Sequence, residues 1–149
     1  MKWVLSHQSY DHRKWMLQDT NEPAQLTYNL AHHSIRIRSK NIRLFFLEVS
    51  GFIQKKIQLL SEYGVVIGES RWGHTLNEGM LTMNNNKYFF EWENNVLSLF
   101  DKNKSLLSAV KNEHSEGMDK KERFALVFSL AWIVISNTPA KKIEDLLVA

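Results

Sequence analysis

Between Arg36 and Lys56 the chain places Arg36, Arg38, Lys40, Arg43, Lys55 and Lys56 against a single acid, Glu48. Guanidinium forks and lysine ammonium groups are the side chains that match phosphate oxygens. These six residues are therefore the candidate site for an anion or a phospholipid headgroup. Each basic residue held near an anionic membrane contributes about 1 kcal/mol, so the cluster predicts weak, salt-sensitive attachment. The competing structural reading is a solvated outer face that keeps a sheet edge soluble.

Other chemistry has less to stand on. Glu91 and Glu93 share one face of an alternating segment, and paired carboxylates perform acid–base work when one is buried. Glu91 with Glu69 and His74 offers an alternative: a polar pocket binding a small molecule or carrying out catalysis. Tyr88, Phe90 and Trp92 occupy the opposite face, however, which predicts that Glu91 and Glu93 meet solvent. The six histidines include no His-Glu-x-x-His arrangement, and His32 beside His33 cannot readily share one metal. No nucleophile elbow, phosphate loop or dinucleotide fingerprint is present, and six glycines leave little Gly-rich loop. No catalytic residue, metal site or cofactor is expected. Trp15, Trp72 and Trp92 could stack on bases, but a formal charge of +3 is too small for an extended phosphate track.

The elements that must position these residues are mostly strands. In Ser34-Ile35-Arg36-Ile37-Arg38 the isoleucines take one face and the arginines the other, and the same period of two runs from Lys87 to Glu93. Turn residues punctuate the chain at Asp19–Pro23, Glu62–Gly64, Asn84–Asn86 and Asp101–Lys104. A repeat at an offset of 40 aligns residues 57–68 with 97–108, each reading strand, polar turn, strand, small residue. Upstream of the two copies, Ile35-Arg36-Ile37 to Phe46 and Leu81-Thr82-Met83 to Phe90 repeat a second hairpin, and Trp15 to Leu26 carries a fainter copy. The expectation is an antiparallel β-barrel of about 10–12 strands built by internal duplication.

After Asp119, which can cap a helix start, Lys120–Arg123 opens a run from Phe124 to Ile135 in which Ser129 is the sole polar residue. A run of twelve residues, eleven of them apolar, is too short to span a bilayer. A helix apolar on every side must be surrounded on every side. The spacing predicts a C-terminal helix over about 121–136 inside the barrel, with the charged turn at its mouth. Phe124, Leu126, Phe128, Trp132 and Ile135 would then fill the lumen, so that Trp132→Asp should prevent folding. The alternative, a smaller pleckstrin-homology-like barrel plugged by its helix, requires a polar stripe that this helix lacks. The tail 139–149 could add a short amphipathic helix through Ile143, Leu146 and Leu147.

With 149 residues the chain reads as one domain over 1–149, and about 68–70% of its unfolded surface can be buried without disulfides. Zero cysteines exclude a disulfide scaffold, a thiolate metal site and a cysteine nucleophile. The first residues lack the apolar stretch of a signal peptide, which predicts a cytoplasmic protein, at most peripherally attached to a membrane.

Strand–polar turn–strand hairpins alternating with aromatic strands and closed by one wholly apolar C-terminal helix resemble the tubby-like superfamily, which includes the LURP-one-related proteins and the phospholipid scramblases. The resemblance spans roughly Trp15 to Ile135. It implies a twelve-stranded barrel around its helix and a non-enzymatic binding or scaffold role, with phosphoinositides or an anionic membrane surface as partner. A protein partner is the other option. The chain has no palmitoylatable cysteine run and no calcium loop, features that the scramblases carry.

Overall fold

A computed structural model describes residues 1–50, 56–71, 77–113 and 118–136. Eleven strands run in chain order: β1 (Lys2–Gln8), β2 (His12–Gln18), β3 (Ala24–Asn29), β4 (Ser34–Arg38), β5 (Ile42–Ser50), β6 (Lys56–Ser61), β7 (Val66–Arg71), β8 (Glu78–Met83), β9 (Asn86–Glu93), β10 (Val96–Phe100) and β11 (Leu106–Asn112). Each pairs antiparallel with the next, and β1 closes the barrel by a short parallel pairing with β11, Lys2 opposite Lys111 and Trp3 opposite Asn112. Among the described residues the strands number eleven; the resemblance implied twelve.

Alternation sorts the residues as the pattern predicts. Trp3, Trp15, Leu26, Tyr28, Ile35, Phe45, Ile57, Leu81, Leu97 and Val110 point inward and are all but sealed from solvent. Phe90 and Trp92 join them, while Glu91 and Glu93 face out. The lumen is filled by α1 (Lys120–Ser136), which is buried without interruption from Phe124 to Leu130 and on to Ala131. Asp119 caps its start: the carboxylate accepts from the Glu122 amide at 2.8 Å and the carbonyl from the Arg123 amide at 3.1 Å. Within the lumen the Ser129 hydroxyl donates to the Ala125 carbonyl at 2.6 Å, so the one polar side chain of the run is satisfied by its own helix.

The 40-residue repeat has a physical basis in two matching turns. Ser61 and Asp101 occupy equivalent positions, and each accepts two backbone amides on its side-chain oxygen: Tyr63 and Val65 on the first, Asn103 and Ser105 on the second. The next equivalent pair, Gly64 and Lys104, takes positive φ values of 78° and 62° and donates to the carbonyl of Ser61 or Asp101 at 2.9 Å. The repeat ends in Gly68 and Ser108, both facing inward.

Gly68 lies where the wall meets the helix. A Cβ there would sit 3.1 Å from the Thr82 carbonyl oxygen and 3.3 Å from the Phe128 ring. A valine needs still more space, so Gly68→Val should cost about 1–3 kcal/mol of stability through overpacking. Urea denaturation measures this directly, and an unchanged midpoint would show that the helix stands off from β7.

Trp132 corrects one expectation. It does not fill the lumen but lies half-buried at the rim where α1 ends, its ring edge-on to Phe45 with centroids 5.0 Å apart. Ile135 is likewise only partly buried. The predicted tail helix over 139–149 lies outside the described residues.

Candidate functional site

The register of the barrel divides the five described residues of the predicted basic cluster into three groups. Arg36 and Arg38 project outward from β4, because Ile35 and Ile37 take the inward positions. Across the wall, Arg36 lies opposite Thr27 of β3, and Thr27 opposite Lys14 of β2. Two strand spacings put Lys14 about 10 Å from Arg36. Outward positions of β2, β3 and β4 carry His12, Lys14, Met16, Gln18, Gln25, Thr27, Asn29, Ser34, Arg36 and Arg38, with no carboxylate among them. Lys14, Arg36 and Arg38 take part in no ion pair among the described residues. Beside them Ile42, opposite Arg38, is 56% exposed.

Lys40 and Arg43 belong to the barrel rim rather than to this wall. Lys40 sits in the β4–β5 turn, 3.3 Å from the Glu22 carboxylate. Arg43 shares the inward parity of Phe45 and Leu47, and its guanidinium lies 5.1 Å from the Phe45 ring centroid and 4.9 Å from that of Trp132. Glu62 approaches its Nε at 3.7 Å, too far for a hydrogen bond. Ser39, Lys40, Asn41, Arg43, Trp132 and Ser136 line a cleft of about 90 Å³ at this rim. That is well below the roughly 300–1,000 Å³ of a drug-sized ligand site.

Lys56 lies at the opposite end of the barrel. It pairs with Ser50, whereas Arg36 pairs with Leu44 on the same β5 strand, so about 20 Å of strand separates them. Six converging cations are therefore not what the fold builds. Lys55 lies outside the described residues, as does His74 of the alternative pocket. Glu69 and Glu91 both face outward on different strands: Glu69 sits level with Thr82 and Lys87, and Glu91 level with Glu78. The structure does not bring these two carboxylates together.

At the end where the helix enters, the fold assembles a polar group that linear reading does not reveal. Glu122, 4% exposed, lies 3.7 Å from Arg13 Nε, while Arg13 Nη1 donates to the carbonyls of Ser9 and His12 at 2.9 and 3.3 Å. Burial pushes the Glu122 carboxyl up to about 7, with Arg13 opposing and Asp119 reinforcing. Burial outweighs the ion pair because the 3.7 Å contact is too long for a charge-assisted hydrogen bond. Tyr28 Oη lies 3.2 Å from His33 Nδ1, and His33 Nε2 lies 3.1 Å from Lys121 Nζ. Burial and then the Lys121 charge lower the His33 pKa, and burial raises that of the Tyr28 phenol, reinforced by Asp119 and Glu122. These contacts fasten the first helical turn to β2, β3 and the β3–β4 turn.

Among the described residues no group of three or more His, Asp or Glu side chains could hold a metal ion, and no helix is long and apolar enough to cross a membrane. Comparison with protein-family models, with curated proteins and with solved structures gives no match in any of the three.

Proposed function

We propose that this protein is a non-enzymatic binding module that attaches to anionic phospholipid surfaces through the outer wall of β2–β5. The observation that carries the reading is the β2–β4 part of this wall, which bears Lys14, Arg36 and Arg38 with no carboxylate and, among the described residues, no ion-pair partner, flanked by exposed Ile42 of β5. Three such residues near an anionic leaflet supply about 3 kcal/mol, enough for reversible attachment only. The helix-filled lumen favours an external partner, since it leaves no interior for a lipocalin-type ligand. A helix-filled barrel is also what the tubby-like resemblance implies, and phosphoinositide binding within that superfamily agrees with this reading.

Flotation of the purified protein with neutral and phosphatidylserine-containing vesicles tests it. Binding is expected to anionic vesicles alone, to weaken from low to physiological salt as screening sets in, and to vanish in Arg36→Glu/Arg38→Glu. Lys56→Glu, at the other end of the barrel, should leave it unchanged. Anionic-vesicle binding that survives the Arg36/Arg38 reversal would overturn the assignment.

A further inference from the structure

We propose that the rim cleft between the β4–β5 turn and the end of α1 is a binding site for one phosphate group of the monoester type, grasped by Arg43 and Lys40. This goes beyond the attachment wall and uses different residues.

The donor set points to an oxyanion. Of the side chains lining the cleft, Arg43 and Lys40 are donors only, and Ser39, Asn41 and Ser136 add hydroxyl and amide groups. Among the described residues, the side chains of Ser39, Asn41 and Ser136 and the terminal nitrogens of Arg43 make no hydrogen bond, and Arg43 Nε is buried without one. Stacking near Phe45 and Trp132 holds the guanidinium plane in place, so little side-chain freedom remains to be lost when an anion docks on its fork. Glu62 approaches Arg43 at Nε, 3.7 Å away, and Glu22 pairs with Lys40 from the β2–β3 turn. A dianionic phosphate brings three acceptor oxygens to this surplus of donors, one more than a carboxylate can offer.

Size sets the limit. About 90 Å³, well under the roughly 300–1,000 Å³ of a drug-sized ligand site, suits one small group such as a phosphate. Whatever the group is attached to must project out of the rim. The end of α1, with its partial negative charge, works against an anion here, and Arg43 offsets it by lying over Trp132 in the last turns. If that offset were the whole role of Arg43, the cleft would not respond to phosphate.

Titration of the full chain with inorganic phosphate, followed by NMR at the Trp132 indole N–H and the Arg43 Nε–H, decides between these. Saturable shifts at both groups are expected. Arg43→Lys, which keeps the charge and loses the planar fork, should weaken binding about tenfold or more. Lys40→Gln changes an exposed turn residue whose one ion pair among the described residues is with Glu22, and it should weaken binding several-fold, which keeps the test intact if Arg43→Lys unfolds. Arg36→Gln/Arg38→Gln should leave it unchanged, separating this site from the wall. Glycerol phosphate and phosphatidic acid vesicles then distinguish sources. Equal dependence on Arg43 with tighter binding to the vesicles identifies a lipid headgroup, and tighter binding to glycerol phosphate a soluble monoester. Absence of saturable shifts, or shifts that depend on Arg36 and Arg38 instead of Lys40 and Arg43, would overturn the proposal.

Discussion

Replacing Phe128 by alanine should lower the stability of the barrel by about 3–5 kcal/mol, a large share of the 5–15 kcal/mol available to a domain of this size. Phe128 is wholly buried at the middle of α1, where its ring meets that of Phe124 at 6.3 Å and packs over the Gly68 backbone. A closed barrel cannot collapse around the missing ring, because every wall strand is hydrogen-bonded on both sides, so the cavity term is retained in full. Phe128→Asp should prevent folding outright, since an unpaired carboxylate at that depth has no partner. Trp132→Asp forms the contrast. At the rim the new carboxylate meets Arg43 and solvent, and the protein should still fold. Chemical denaturation followed by circular dichroism separates the three variants. A loss below about 1 kcal/mol for Phe128→Ala would mean that the lumen is not closely packed.

Glutamine at position 122 should raise stability at neutral and alkaline pH and remove one component of its pH dependence. The folded-state carboxyl titrates near 7 against an ordinary 4.5. Between those values the folded protein keeps the proton that the unfolded chain releases, so the stability contributed by the neutral carboxyl is complete below pH 4.5 and is lost as pH rises towards 7. The separation corresponds to about 3 kcal/mol. His33 acts in the opposite direction. Its lowered pKa makes the folded state resist protonation, so stability falls as pH drops below 6.5, but this component is shared by both proteins and cancels in their difference. Denaturation of the wild type and Glu122→Gln from pH 4 to 8 should therefore give curves that meet at acid pH and diverge through pH 4.5–7, the variant above. Parallel curves would place Glu122 in water rather than at the sealed mouth of the barrel.

How much of this was legible in the linear chain follows from which forces are local. Period-two alternation placed Ile35 and Ile37 inside and Arg36 and Arg38 outside without any knowledge of neighbours, because a strand points successive side chains to opposite faces. The run from Phe124 to Ile135, apolar but for Ser129, required enclosure, and a β-rich chain offers one place for it, inside the barrel, which encloses it fully as far as Ala131 and only partly at Trp132 and Ile135. Asp119 and the equivalent turns at Ser61 and Asp101 are likewise decided within five residues. Where adjacent residues are both aromatic the pattern falls silent: Phe45-Phe46 leaves the parity of its strand open, and Arg43 proved to belong to the inward set, over Trp132, rather than to the wall with Arg36.

Tertiary structure decided everything that depends on register between distant segments. Lys14 joined the basic wall through two successive strand pairings, and Lys56 left it because β5 carries its partner to the other end of the barrel. Arg13 meets Glu122, and His33 meets Lys121, across elements that only the assembled barrel brings together. Those contacts join residues roughly ninety or more positions apart, and no periodicity in the chain encodes which turn of the helix stops beside which strand end. That stopping point is set by packing the helix's large side chains against the wall, at Gly68 and around Phe128, and packing is a property of the assembled barrel.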